Sequence, residues 1–250
     1  MSKTPFEAIF FDLGDTLMYF DADWSDIFQQ AMNELLHSLQ KAGIDLDQEF
    51  VEEFSQRMAE YYRERDTEFI EYTIKHVLKN ILEEKGYPAV PDETLTDALA
   101  DMHLITQAHW IPETDTIPTL KRLRSLGYRM ALISNASDDP NTQVLVDNLG
   151  VRDFFEVIVS SAALGVRKPN PKIFQSALEK MNLAPNSVAM VGDTLGADIL
   201  GARNAGLFSI WIKRRANTPG NWAHSETIIP DAQIESLSDL PDLLENLAVL

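Results

Sequence analysis

The sequence predicts an α/β fold, a parallel sheet with helices on both faces, into which an all-helical domain is inserted after the first strand. Three observations carry this. The run Ala8-Ile9-Phe10-Phe11 is apolar at every position, as a strand buried on both faces must be. From about Asp23 to Trp110 only helical periodicity is found. Beyond Pro112, short apolar strand-like runs alternate with helical ones, which calls for a parallel sheet with crossover helices.

Length and composition bound the rest. A chain of 250 residues has room for one or two domains and a large core. Its 39 acidic and 21 basic residues give a net charge of −18. Such a surface repels nucleic acid and anionic membranes, so neither is expected as a partner. The absence of cysteine excludes disulfides, thiolate metal sites and a cysteine nucleophile. No apolar run is long enough to span a membrane, and Met1-Ser2-Lys3-Thr4-Pro5 leads into the first strand without a secretory signal. A cytoplasmic location is expected.

Taken in order, the first strand stops at Gly14 and Asp15, both turn formers, which leaves Asp12 at its carboxyl end. The helical block then opens with Trp24, Ile27, Phe28, Ala31, Leu35, Leu36 and Leu39 on one helix face, closed by Gly43. Phe50, Val51, Phe54, Met58, Tyr61 and Tyr62 mark a second helix. Phe69, Tyr72, Ile74, Val77, Leu78, Ile81 and Leu82 mark a third, stopped at Gly86-Tyr87-Pro88, and Leu95 to Ile105 a fourth. Aromatics at helical spacing, here Trp24, Tyr61, Tyr62 and Tyr72, are expected mostly to fill the core of this block, with one or two at its seam touching substrate.

After Pro112, Leu120, Leu123 and Leu126 give a helix ending at Gly127. Strands Met130 to Ile133, Val157 to Val159, Val188 to Val191 and Phe208 to Ile212 follow, separated by helices around Val144–Leu149, Ile173–Met181 and Ile199–Ala205. Leu240 to Leu247 is a last helix. The expected division is therefore residues 1–20 and 112–250 for the α/β core and 21–111 for the helical insert.

Chemistry-capable residues stand at four strand ends: Asp12, Ser134 with Asn135, Ser160 with Ser161, and Asp193. The carboxyl ends of parallel strands share one edge, where ligands bind in such sheets. Asp12, Asp193 and nearby Asp198 would concentrate negative charge there, and a hard cation with oxygen ligands such as Mg²⁺ would compensate it. A purely structural alternative makes Asp193 and Asp198 helix N-caps. Lys168, in Gly165-Val166-Arg167-Lys168-Pro169-Asn170-Pro171, is the candidate cation, or else a solvated surface charge.

Four segments in order resemble the motifs of the haloacid dehalogenase-like (HAD) hydrolase superfamily, in the branch with a helical cap inserted after the first motif. Asp12 to Leu17 is similar to motif one and Ile133-Ser134-Asn135 to motif two. Lys168-Pro169-Asn170-Pro171 with Ile173-Phe174 resembles motif three, and Val191-Gly192-Asp193-Thr194-Leu195-Gly196-Ala197-Asp198 motif four. The resemblance covers nearly all of the chain and implies a Rossmann-like core with a cap domain. It implies a Mg²⁺-dependent phosphatase acting on a small phosphorylated metabolite. Asp12 would be the nucleophile that carries an aspartyl-phosphate. Ser134 and Asn135 would bind the phosphoryl oxygens, and Lys168 would neutralise charge on nucleophile and phosphoryl group. Asp12, the carbonyl of Gly14, Asp193 and Asp198 would hold the metal.

One position departs from the pattern. The family's phosphatases carry an acid–base Asp two residues after the nucleophile; here that residue is Gly14, with Asp15 one further on. Dehalogenases of the family also lack that Asp but work without metal, whereas Asp193 and Asp198 ask for one. A phosphonatase would need a cap lysine, for which Lys41, Lys75, Lys79 and Lys85 are the candidates. A 2-haloacid dehalogenase and a non-catalytic binding protein with a degraded site are the alternatives.

Overall fold

The computed structural model describes residues 5–248, apart from the side chain of Asp66. The amino-terminal reading at Met1 to Thr4 lies outside the described residues.

Six parallel strands form the main sheet: β1 (Ala8–Phe11), β4 (Arg129–Ser134), β5 (Val157–Ser160), β6 (Val188–Gly192), β7 (Phe208–Ile212) and β8 (Ala232–Ile234), in spatial order β5-β4-β1-β6-β7-β8. The apolar run at β1 is buried on both faces because successive side chains point opposite ways. Ile9 and Phe11 join the cluster under α5 (Thr116–Ser125), α6 (Asp139–Asn148) and α11 (Leu240–Leu247). Ala8 and Phe10 join the one under α8 (Pro171–Met181) and α9 (Leu200–Ala205). Phe11 pairs with Leu132 on one side and Val191 on the other. The residues just past β1, β4 and β6 thereby meet where the strand order reverses.

Helices α1 (Trp24–Lys41), α2 (Glu49–Glu68), α3 (Ile74–Glu84) and α4 (Asp92–Gln107) pack on a separate apolar cluster that includes Leu35, Phe50, Phe54, Leu78 and Leu99. Asp23 caps α1 by accepting from the N–H groups of Ser25 and Asp26. The chain enters and leaves this unit through a short antiparallel ribbon, β2 (Met18–Phe20) with β3 (Trp110–Pro112), on which the expected division at residues 20/21 and 111/112 falls.

Several elements differ from the sequence reading. Trp110 belongs to β3, not to the helical block. The third helix begins at Ile74, capped by Thr73, because Phe69 takes a left-handed turn (φ 55°) and ends α2. Phe69 to Tyr72 run as a link that pairs with the core: Ile70 bridges Val166, Glu71 N–H donates to Gly165 O, and Arg167 N–H to Phe69 O. The strands β2, β3 and β8 and the short helices α7 (Ser161–Leu164) and α10 (Pro219–Trp222) add to the elements that the sequence pattern predicts. Among the described residues no helix is long and apolar enough to cross a membrane.

Candidate active site

Asp12, Lys168, Asp193, Asp198 and Ser134 all come together at the carboxyl edge of the sheet, on the floor of a cavity of about 410 Å³ roofed by the helical unit. Lys168 is only 2 % exposed, which removes the solvated-surface alternative. Its ammonium donates to Asp12 Oδ1 (2.5 Å), Asp198 Oδ1 (2.7 Å) and the carbonyl of Ile133 (2.8 Å). Those three bonds use all three of its donors.

One oxygen from each of Asp12, Asp193 and Asp198 lies within 4.8 Å of the other two, and all three residues are buried. This cluster could hold a metal ion, and its all-oxygen donors suit a hard divalent cation. Burial, helped by Asp198, pushes the Asp12 carboxyl up to about 6 against the opposing pull of Lys168. Asp193 is raised well above the ordinary range by burial first and then by Asp198, Asp12 and Asp15. Burial alone would lower Lys168, but Asp12 and Asp198 outweigh it and hold its ammonium above the usual value. The site is thus short of positive charge on its own.

Each group is fixed by its surroundings. Asp12 N–H donates to Val191 O, which seats the residue against β6. A single turn of π-helix (Leu195–Ile199) follows β6 and swings Asp198 back toward the sheet. There its Oδ2 accepts from Thr194 N–H (2.9 Å), so it ties the loop as well as pairing with Lys168. Asp198 therefore lies inside the turn and caps no helix; its first oxygen goes to the lysine. Gly192 is required here, because any Cβ would collide with the Asp198 carboxyl. Asp193 keeps its place through its carbonyl, which accepts from Trp211 Nε1 (2.8 Å) and Asn221 Nδ2 (2.9 Å).

Asn135 borders the cavity but spends its amide on the main chain of Lys168: Nδ2 donates to the carbonyl (3.0 Å) and Oδ1 accepts from the N–H (2.8 Å). Its side chain holds the lysine loop in place. Ser160 and Ser161 do not border the cavity. Ser160 caps α7, and Ser161 Oγ lies 2.8 Å from Glu71 and accepts from Ala136 N–H.

The turn after Asp12 treats Gly14 and Asp15 differently. The left-handed conformation falls on Asp15 (φ 55°), not on Gly14. A Cβ at Gly14 would meet the Trp110 ring at 3.5 Å, an ordinary contact. Asp15 also borders the cavity; burial raises its carboxyl, opposed by Arg215 and aided by Glu113.

No local pattern marks several of the groups around the cavity. Glu71, in the link after α2, is buried and accepts from Tyr61 Oη (2.5 Å) and Arg65 Nη1 (3.2 Å), with Arg167 Nε at 3.7 Å. Arg65 and Arg167 border the cavity, as do Tyr62 and His103. Of the four aromatics expected mainly in the helical core, only Tyr61 is buried; Trp24 is 49 % and Tyr72 46 % exposed, and Trp24 and Tyr62 border the cavity. None of Lys41, Lys75, Lys79 and Lys85 borders it, and Lys75 pairs instead with Asp92 and Lys85 with Glu53.

A parallel sheet that sets a buried carboxylate–lysine cluster under a helical roof points to hydrolytic chemistry, and comparison with known proteins agrees. The family model for haloacid dehalogenase-like hydrolases matches residues 6–206, and the chain belongs to that family. The chain is 30 % identical over 243 residues to a glyceraldehyde 3-phosphate phosphatase of Methanopyrus kandleri, covering 97 % of this chain and 98 % of that one. The counterpart of the same name from Pyrococcus abyssi is 30 % identical over 240 residues, 96 % and 94 % of the two chains. In fold the chain matches a 2-haloacid dehalogenase from Pseudomonas syringae pv. Tomato DC3000, with TM-score 0.68, 24 % identity and 96 % and 99 % coverage. The protein is an enzyme of the hydrolase class.

Proposed function

We propose that the protein is a Mg²⁺-dependent phosphatase that hydrolyses a small phosphorylated metabolite through an aspartyl-phosphate on Asp12, with residues 21–111 acting as the cap. The observation that carries this is Asp12 held against Lys168 beside two further buried carboxylates. The full-length relatives named as phosphatases support it.

Asp12 and Asp193 would hold the metal directly, with the Gly14 carbonyl. Asp198 already gives one oxygen to Lys168 and the other to Thr194, so it would act through a water. The bound cation would supply charge neutralisation between an anionic nucleophile and an anionic substrate. The free Asp12 oxygen attacks phosphorus while Lys168 offsets the charge, and Ser134 donates its hydroxyl to a phosphoryl oxygen. The bond to the leaving alcohol oxygen breaks, and that oxygen takes a proton from solvent, since Gly14 offers none. Water then attacks the aspartyl-phosphate, releases phosphate and restores Asp12.

The test is phosphate release across a panel of phosphate monoesters, with and without Mg²⁺, for the wild type and Asp12→Asn. Metal-dependent release that falls to background in the variant is expected. Metal-independent halide release from 2-haloacids would instead assign the dehalogenase reaction.

A further inference from the structure

The cavity's floor and roof differ in chemistry. Charged groups line the floor, whereas the roof, although it carries Arg65, Tyr62 and His103, is mainly apolar through Trp24, Phe28, Met32, Ile74 and Met102. Trp24 leaves about half of its surface, 49 %, uncovered. A large aromatic left open on the wall of a cavity marks a binding surface more than a core.

The indole is held in place by other rings. It lies edge-on to Phe20 at 4.9 Å between centroids and stacks on Phe28 at 5.8 Å with 23° between planes. Phe20 in turn meets Trp110 edge-on at 5.3 Å, and Trp110 lies over Gly14. A run of four rings thus leads from the turn after Asp12 through the ribbon to the roof, with Trp110, Trp24 and Phe28 bordering the cavity and Phe20 backing them. A small polar group placed against it would lose water without regaining hydrogen bonds, whereas a flat ring gains stacking. The cavity of about 410 Å³ falls in the range that encloses drug-sized organic molecules, and a three-carbon phosphate would leave most of it to water. His103, whose Nε2 lies 3.8 Å from Asp138, and Thr106, whose hydroxyl donates to the His103 carbonyl, also border it and leave the Thr106 oxygen as an acceptor for a heteroaromatic edge.

Building on the phosphatase reading, we propose that Trp24 is a stacking platform for the organic part of the substrate. The preferred substrates are phosphate monoesters that carry a planar aromatic ring, such as a nucleobase, over three-carbon sugar phosphates.

The test compares kcat/KM for uridine 5′-monophosphate, ribose 5-phosphate and glyceraldehyde 3-phosphate with Mg²⁺. The first two differ by the base alone. Base–aromatic stacking predicts a preference of about tenfold for the nucleotide over ribose 5-phosphate. Trp24→Ala should bring that ratio near one, and Trp24→Phe should keep most of it. Trp24 is half-exposed, so both variants should fold. A ratio near one in the wild type, a ratio unchanged in Trp24→Ala, or glyceraldehyde 3-phosphate as the best of the three overturns the proposal. A second pair, benzyl and propyl phosphate, shows the same Trp24-dependent preference where any ring suffices; a preference confined to the nucleotide pair assigns the platform to nucleobases. Calorimetric binding of the first pair to Asp12→Asn and to Asp12→Asn/Trp24→Ala separates the subsite from the chemistry. Base-dependent tightening that Trp24→Ala removes, in a protein that turns over no ester, keeps the platform and rejects the phosphatase. Equal affinities reject the platform.

Discussion

Lys168→Met isolates the electrostatic design of the floor. Methionine keeps the length and apolar character of the stem, so the change is essentially the loss of the ammonium. That group bonds Asp12, Asp198 and the Ile133 carbonyl from a position 2 % exposed, and both carboxylates are buried with it. Removing one partner from a buried ionic cluster costs about 3–5 kcal/mol, because charge is left uncompensated. That is a large share of the roughly 5–15 kcal/mol that holds a typical protein folded. The loss should depend on pH. Asp12 already sits up at about 6, and without the cation it moves higher. An acid whose folded pKa is raised contributes stability that is present below its unfolded value, about 4, and lost as pH rises through the folded value. The deficit relative to wild type should therefore be small near pH 5, where the carboxyls can take protons, and close to full size at pH 8. Urea unfolding followed by circular dichroism at both pH values, in EDTA, measures it. Millimolar Mg²⁺ should recover part of the loss at pH 8 through preferential binding to the folded state. A deficit below about 1 kcal/mol at pH 8, or one equal at both pH values, would refute the reasoning.

Three further outcomes are expected. Mg²⁺ should raise the wild-type melting temperature, more at pH 8 than at pH 6, because the raised Asp193 and Asp12 carboxyls penalise the metal-free fold as they ionise; Asp193→Asn should blunt the rise in a thermal scan. Gly14→Asp should speed steady-state hydrolysis by tenfold or more, within the roughly 10²–10⁴ of a well-placed acid, since Gly14 is not left-handed and a Cβ fits beside Trp110; Asp15→Asn should change little, and a large loss there with Mg²⁺ binding intact would make Asp15 the acid. Glu71→Ala should cost about 2–4 kcal/mol in chemical denaturation, toward the lower end because Arg65 keeps a 20 % exposed side chain.

The sheet was legible because its central strands announce themselves. Ala8 to Phe11, Met130 to Ile133 and Val188 to Val191 are apolar at every position, and a polar residue follows at or near each strand end. Those same ends carry Asp12, Ser134 and Asp193, so most of the floor could be read with the strands. The ribbon β2–β3 and strand β8 escaped because three residues cannot display a period. Helical spacing could not separate Trp24 from Tyr61, since both fit an apolar face; only packing shows that one faces a cavity and the other a buried carboxylate. Glu71 and Asn221 were invisible for another reason. Their partners, Ser161 and Asp193, lie 90 and 28 residues away, and no local pattern marks either contact.

The link after α2 makes the roof a structure with two main-chain attachments, beside side-chain contacts from Gln107 to Asn141 and from His103 to Asp138. One is the β2–β3 ribbon. At the other, Glu71 donates its N–H to Gly165, Arg167 to Phe69, and Ile74 to Ser137, while the Glu71 carboxylate reaches Ser161. Any swing about the ribbon has to unzip this latch, and the latch is fastened to the very loops that present Ser134 and Lys168. A roof that moved as one body about the ribbon would have to break its bonds to the loops at Ser137 and Gly165, next to the residues that set Ser134 and Lys168.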